Sequence, residues 1–94
     1  MGKIIWSDFA KEDLKELLAY ISKDSPKYAQ YFRERLFEKV KYLNRFPQMG
    51  RIIPDSKDPN KRELIFQNYR IVYKIEEDTV EIITILHGSR LFRL

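Results

Sequence analysis

The chain has 94 residues, 44% of them hydrophobic and 14% aromatic, which is typical of a folded chain and predicts a single domain over residues 1–94. It contains no cysteine and one histidine, so disulfides and thiolate metal sites are excluded and neither a metal nor another cofactor is expected. A net charge of +4 and a pI of about 9.4 favour acidic partners, either nucleic acid or acidic proteins. No run approaches the ~20 apolar residues of a membrane span, and no signal-peptide core is recognised, so we expect a cytoplasmic protein without membrane contact.

The first segments are predicted to be a short strand and a helix. Lys3 to Trp6 has the apolar character of a strand. Ser7 is suited to cap the next helix with its hydroxyl, and Asp8 suits the positive end of the helix dipole. The helix is predicted over about residues 8–23 because apolar side chains recur at helical spacing. These side chains are Ala10, Leu14, Leu17, Leu18 and Ile21.

A second helix is predicted from Pro26 to about Phe46. Pro26 disfavours helical geometry at Ser25, whereas its own fixed φ suits the first turn of a new helix. The apolar stripe of this helix consists of Ala29, Phe32, Leu36, Val40 and Leu43. A very short link between two amphipathic helices predicts an antiparallel hairpin that packs its stripes on one sheet.

Residues 47–61 are predicted to be irregular, because three prolines and a glycine interrupt any regular pattern. Ile52 and Ile53 are expected to pin part of this loop to the core. A strand is then predicted from Arg62 to Phe66, followed by a tight turn at Gln67-Asn68.

The chain is then predicted to form a β-hairpin that leads to an arginine-bearing corner, over residues 69–90. The charged run 76–78 is expected to turn the chain, since it is poor in β-forming residues. Alternation along the second strand assigns Val80, Ile82 and Leu86 to one face, and Ile83 and Ile85 to the other. Gly88 permits a turn that would place Arg90 near Arg70.

The predicted element order is therefore β-α-α-β-β-β, an α+β fold. A helical hairpin packs on one face of a mostly antiparallel sheet, and the other face is left open or covered only by the long loop.

Candidate functional residues are the basic and aromatic side chains of the long loop and the last three strands. No phosphate-binding loop, nucleophile elbow or metal-ligand cluster accompanies them. The set is Arg51, Lys61, Arg62, Arg70, Tyr73, His87 and Arg90. Clustered arginines can bind phosphates through forked hydrogen bonds. They can also stabilise a phosphorane during RNA cleavage, with a histidine, lysine or tyrosine transferring protons.

A structural role is the alternative for each of these residues. Arginines on the sheet would then pair with Glu63 or Glu81 or bind loop carbonyls. Tyr73 would lie in the core with its hydroxyl at the rim, and His87 would satisfy the backbone near Gly88.

Several motifs together resemble the RelE/ParE superfamily of bacterial toxins from type II toxin-antitoxin modules. The match covers nearly the whole chain in the right order. Its motifs are Trp6-Ser7, Pro26-x-x-Ala29-x-x-Phe32, Leu43-x-x-Phe46-Pro47-x-x-Gly50-Arg51, Tyr69-Arg70-Ile71-Val72-Tyr73 and Ile85-Leu86-His87-Gly88-Ser89-Arg90.

The Pro-x-x-Gly-Arg loop and the His-Gly-x-Arg ending resemble the ParE-like branch. This resemblance implies growth arrest by poisoning of DNA gyrase, plasmid stabilisation, neutralisation by a cognate acidic antitoxin, and contact with operator DNA only through that antitoxin. The residues expected to contact the target or nucleic acid are Arg51, Arg62, Arg70, Tyr73 and Arg90. The side chains expected to line an apolar antitoxin groove are Ile83, Ile85, Tyr31 and Tyr42.

The alternative is resemblance to the RelE-like branch, which implies metal-independent cleavage of mRNA on the ribosome. Arg70 and Arg90 match two arginines of that branch by position, Lys61 stands in for a loop lysine, and His87 completes the catalytic candidates. The branch also uses a tyrosine in a C-terminal extension, and the sequence contains no tyrosine after Tyr73. A further alternative is a non-toxic protein that retains the fold.

Overall fold

The computed structural model describes residues 2–54 and 56–88. In chain order the elements are β1 (Lys3–Trp6), α1 (Asp8–Asp24), α2 (Pro26–Lys41), β2 (Arg51–Ile52), β3 (Lys61–Phe66), β4 (Tyr69–Glu76) and β5 (Thr79–His87). Within these residues the strands form one sheet in the order β1-β5-β4-β3-β2. β1 runs parallel to β5, whereas every other neighbouring pair is antiparallel. The predicted α+β fold with a mostly antiparallel sheet is confirmed.

Each helix starts at a serine cap, as the sequence predicts for the first. The Ser7 hydroxyl accepts a hydrogen bond from the Ala10 N–H, and the Ser25 hydroxyl accepts one from the Tyr28 N–H, both at 3.0 Å. Ser7 has a second role, because its hydroxyl donates to the Ile83 carbonyl at 2.7 Å. The start of α1 is therefore tied directly to β5.

The second helix ends earlier than predicted. α2 stops at Lys41 and is followed by two 3₁₀ turns, Tyr42–Asn44 and Pro47–Met49, so the prediction of a helix to Phe46 is wrong. Phe46 lies outside the helical region, at φ −126° and ψ 66°. Proline disfavours helical geometry at the residue before it, so Pro47 prevents the helical stretch from including Phe46.

The loop predicted to be irregular contains a short edge strand. β2 pairs Arg51 with Glu63 and Ile52 with Arg62. Ile53 is buried, but the Ile52 side chain is exposed, so only Ile53 anchors the loop to the core as predicted.

A β-bulge at Ile83 changes which residues of β5 face the helices. Val72 lies opposite Thr84, whereas Tyr73 lies opposite Ile82, so Ile83 is the extra residue. The extra residue inverts the alternation beyond it. Ile85 therefore joins Val80 and Ile82 in the core, and Leu86 lies opposite Arg70 on the other face.

This bulge overturns two predictions. The assignment of Leu86 to the same face as Val80 and Ile82 is wrong, because strict alternation does not hold across Ile83. Ile85 is buried and is not available to line an exposed groove.

The core lies between the helical hairpin and one face of the sheet. Phe32 of α2 packs edge-on against Phe66 and Tyr69, with ring centroids 5.2 and 5.6 Å apart. The buried cluster is formed by Ala10, Leu14, Phe32, Leu36, Val40, Leu43, Leu64, Phe66, Ile71, Tyr73, Val80, Ile82 and Ile85. Neither helix of the described ranges combines the length and apolar character needed to cross a bilayer.

Side chains of α1 cover the part of β5 that β1 does not reach. The pairing of β1 with β5 ends at Ile82. Beyond it, the Asp13 carboxylate accepts hydrogen bonds from the Thr84 hydroxyl and, at 3.2 Å, from the Ile85 N–H. Asp13 thus takes the place of a further strand at this edge.

The sheet face away from the core is not open at its centre. Glu63, Arg70 and Val72 lie on that face and are all buried. Of the two alternatives, an open face is therefore wrong for these residues, and exposed side chains such as Arg51 and Ile65 lie around them.

The second bond of Ser7 gives a direct test of how α1 is attached to β5. Ser25→Ala removes only a helix cap and is expected to cost about 1 kcal/mol of unfolding free energy. Ser7→Ala removes an equivalent cap and also the bond to Ile83, which adds about 1 kcal/mol. Urea denaturation of the two variants measures the difference, and equal losses would contradict the proposed attachment.

Candidate functional site

The candidate site is centred on a buried carboxylate that bonds two arginines. Arg51 Nε donates to Glu63 Oε2 at 2.5 Å, and Arg70 Nη1 donates to Glu63 Oε1 at 2.9 Å. The Glu63 side chain has no exposed surface, and that of Arg70 is nearly buried, but 62% of the Arg51 side chain is exposed. We call these three residues the Glu63 cluster.

Strand register brings the Glu63 cluster together. Arg51 lies directly opposite Glu63 in the β2–β3 pair. In the β3–β4 pair Glu63 lies opposite Val72, so Arg70, two residues before Val72, is its diagonal neighbour on the same face. Residues that are 7 and 12 positions apart in sequence therefore share one carboxylate.

The Glu63 cluster carries an excess of one positive charge, since one carboxylate bonds two guanidinium groups. An isolated buried carboxylate would be costly, and here each of its oxygens accepts a charge-assisted hydrogen bond. Arg51 uses Nε for this bond, so its two terminal nitrogens take no part in it, and most of the side chain is exposed. The Glu63 cluster therefore presents an oriented guanidinium to an anionic group.

A second polar network holds the segment that precedes Arg51. The buried Tyr73 hydroxyl donates to the Pro47 carbonyl at 2.6 Å and accepts from the Gly50 N–H at 2.9 Å. A Cβ at Gly50 would lie 2.6 Å from the Tyr73 oxygen and 2.7 Å from the Glu63 carbonyl oxygen, so glycine is required by this close approach. Burial raises the pKa of the Tyr73 hydroxyl above its ordinary value.

Arg62 belongs to the same network. Its Nη1 donates to the Gly50 carbonyl at 2.9 Å and to the Gln48 carbonyl at 3.3 Å. Arg62 is the cross-strand partner of Tyr73, so the two side chains share one face of the sheet. The Glu63 cluster lies on the other face. Arg62 and Tyr73 therefore hold the loop through hydrogen bonds to its backbone. Tyr73 is buried, which does not favour its direct contact with a target.

The other predicted site residues are distributed over both faces. Lys61 lies on the same face as Glu63 and opposite Lys74. Lys74 bonds Glu76 at 3.0 Å, and this hydrogen bond raises the pKa of the Lys74 amine. His87 lies opposite Tyr69 on the face that carries the helices, with the two rings edge-on at 5.6 Å. Arg90, and with it the predicted approach to Arg70, lies outside the described residues.

The described part of the site is built for binding an anion more than for proton transfer. The Tyr73 hydroxyl is used twice within the protein, and Arg70 is held by Glu63. His87 lies on the other face of the sheet. Over residues 2–54 and 56–88, no group of three or more acidic or histidine side chains is arranged to hold a metal ion.

Glu63 is the residue whose importance the sequence did not reveal. The sequence offered Glu63 and Glu81 equally as structural partners of the arginines, and the structure selects Glu63 for both Arg51 and Arg70. No local signal singles it out, because Glu63 follows Arg62 and alternation places it on the strand face of Lys61 and Ile65.

The sequence matches a known family over almost its whole length. The model of the family described as ParE toxin of type II toxin-antitoxin system, parDE, matches residues 4–92. The protein named "Putative toxin Y4kP" in Sinorhizobium fredii (strain NBRC 101917 / NGR234) is 36% identical over 90 residues, which cover 94% of this chain and 90% of that protein.

Solved structures show the same fold at low sequence identity. The chromosomal ParDE toxin-antitoxin system from P. aeruginosa includes a chain with a TM-score of 0.76 and 22% identity, covering 93% of this chain and 96% of that one. The isolated E. coli RelE toxin has a TM-score of 0.67 and 18% identity, with 96% and 87% covered.

Glu63→Gln tests the buried charge pair. The substitution keeps the shape of the side chain but leaves two guanidinium groups without their anion, and Arg70 is nearly buried. We expect a loss of roughly 3–5 kcal/mol in unfolding free energy. Glu81→Gln, at an exposed position of β5, is the matched control and should change stability by less than about 0.5 kcal/mol. Similar effects of the two variants in urea denaturation would argue against a central role for Glu63.

Tyr73→Phe tests the network under Arg51. Loss of the hydroxyl leaves the Gly50 N–H without its acceptor, at an expected cost of about 1–3 kcal/mol.

Because folding raises the pKa of Tyr73 above 10.0, the folded protein holds this proton more tightly than the unfolded chain. The wild type should therefore lose stability as the pH rises above about 10, and Tyr73→Phe should lose less over the same range. Parallel stability–pH curves above that pH would contradict this assignment.

Proposed function

The chain belongs to the ParE toxin family of type II toxin-antitoxin systems, and from this membership we propose that it arrests growth by poisoning DNA gyrase. In the same proposal a cognate acidic antitoxin neutralises the toxin in the cytoplasm, and the pair stabilises a plasmid. The proposed toxin is the single domain of residues 1–94.

The arrangement of the Glu63 cluster is the observation that carries the gyrase proposal. A toxin that acts by binding needs an oriented, accessible contact residue, and Arg51 is accessible while Glu63 holds its Nε. RNA cleavage would instead need an arginine that can stabilise the negative charge of the transition state, beside a side chain that transfers protons. Arg70 is committed to Glu63, and the Tyr73 hydroxyl is committed to the loop.

Arg51 is the residue that we propose to contact gyrase, through a carboxylate or phosphate group. Arg70 acts behind it, because it shares the Glu63 carboxylate and holds that carboxylate in place. Arg62 is proposed to act indirectly, by fixing the backbone at Gly50. The resemblance to the family adds Arg90 as a further proposed contact.

An acidic antitoxin is the proposed partner of the free toxin. The net charge of +4 favours an acidic chain. Tyr31 on α2 and Tyr42 in the turn after it are each about half exposed and remain candidates for an apolar contact. The P. aeruginosa chain with the same fold is part of a toxin-antitoxin system. We propose that operator DNA is bound through the antitoxin.

Purified toxin added to DNA gyrase and relaxed plasmid tests the proposed target. We expect supercoiling to stop and linear plasmid to appear when gyrase is denatured. Arg51→Gln should raise the toxin concentration needed by on the order of 10- to 100-fold, as expected for loss of one charge-assisted contact. Lys57→Gln removes an exposed charge from the same loop and is the matched control, expected to act as wild type.

The same preparation added to translating ribosomes tests the ribonuclease alternative. Normal supercoiling at saturating toxin, together with cleaved message on the ribosome, would overturn the gyrase proposal. Growth arrest that gyrase overproduction relieves, and that a co-expressed antitoxin prevents, is the corresponding result expected in cells.

A further inference from the structure

The positive charge of this protein is concentrated on its second helix and the turn that follows it. Residues 26–45 contain six lysines and arginines but only two glutamates, a net charge of +4. This equals the net charge of the whole chain, so the remaining residues carry equal numbers of each sign. We call the six cations the α2 basic surface: Lys27, Arg33, Arg35, Lys39, Lys41 and Arg45.

No ion pair neutralises these six cations in the part of the chain that the structure describes. All six are exposed. The ion pairs found among residues 2–54 and 56–88 are those of Glu63 with its two arginines and that of Lys74 with Glu76, and none includes a residue of the α2 basic surface. Of the two glutamates on α2, Glu34 accepts a hydrogen bond from Gln30. The charge is therefore available to an external anion.

Exposed tyrosines lie among the cations. Arg35 lies over the ring of Tyr31, with 5.8 Å between its guanidinium carbon and the ring centroid. Beside them, α2 and the loop form a shallow groove of about 330 Å³ lined by Arg35, Glu38, Lys39, Tyr42, Met49 and Phe66. Planar rings and guanidinium groups next to one another suit sugar and base edges as well as phosphates.

The geometry points to duplex DNA as the ligand: we propose that the α2 basic surface binds the phosphate backbone of DNA without sequence preference. Centres of protein–protein interfaces are depleted of charged residues, lysine in particular, whereas protein–DNA interfaces are much more positive. Three lysines and three arginines on residues 26–45 therefore favour DNA over an acidic protein as the ligand of this surface in the toxin without its antitoxin. This contact is separate from operator recognition by an antitoxin.

The dimensions of α2 suit such a contact. Its 16 residues extend about 24 Å, which spans several phosphates of one strand. The cations are distributed around the exposed side of the helix, so more than one can face a phosphate backbone at once. For a protein that acts on gyrase, this surface would hold the DNA segment that gyrase cleaves, but DNA binding itself does not depend on that proposal.

Fluorescence anisotropy of a short labelled duplex, with purified toxin alone, tests this inference. The double variant Arg35→Gln/Lys39→Gln removes two cations four residues apart on α2. Lys11→Gln/Lys15→Gln removes two exposed cations with the same spacing on α1 and is the matched control. Both variants lower the net charge equally, so a general charge effect would weaken DNA binding equally in both.

We expect the α2 variant to bind more weakly than the control and to show a shallower dependence of affinity on salt, by roughly 2 in the logarithmic slope. Between about 50 and about 200 mM salt, wild type should then lose roughly tenfold more affinity than the α2 variant. Equal behaviour of the two variants, or no DNA binding by wild type, would overturn the proposal. Tighter binding of wild type to a polyglutamate peptide than to the duplex would also overturn it, in favour of an acidic protein partner.

Discussion

A negative charge buried within a sheet must be neutralised where it lies, and the Glu63 carboxylate imposes this requirement on three strands at once. Arg51 meets it from β2 and Arg70 from β4, while Glu63 itself belongs to β3. The short edge strand is held by this shared charge as well as by its two residues of pairing. The buried centre of the sheet face therefore depends on the same interaction that orients Arg51.

The position of Arg51 also depends on polar groups on the sheet face that carries the helices. The Tyr73 hydroxyl and the Arg62 guanidinium together bond the loop from Pro47 to Gly50. A loop held at both its carbonyls and its N–H groups has little freedom, so the side chain that follows it starts from a defined position. Arg62, Arg70 and Tyr73 are thus arranged around one exposed side chain, that of Arg51.

Two positive surfaces result, and their electrostatics differ. In the Glu63 cluster one carboxylate offsets one of two guanidinium charges, and what remains is oriented and specific. Within the described residues no ion pair compensates the α2 basic surface, and the segment that carries it, residues 26–45, has a net charge equal to that of the whole protein. A compensated arginine favours recognition of a defined group, whereas an uncompensated array favours a polyanion of any sequence.

Local signals in the sequence determined the order of the elements other than β2, the two helix starts and the hairpin. A serine before a helix and a charged turn act within a few residues, so Ser7, Pro26 and the run 76–78 could be interpreted without knowing the rest of the fold. Register between strands is not local. The bulge at Ile83, the pairing of β2 and the choice of Glu63 over Glu81 depend on which residues meet across strands, and only the tertiary structure decided them, because alternation along one strand contains no record of its neighbour.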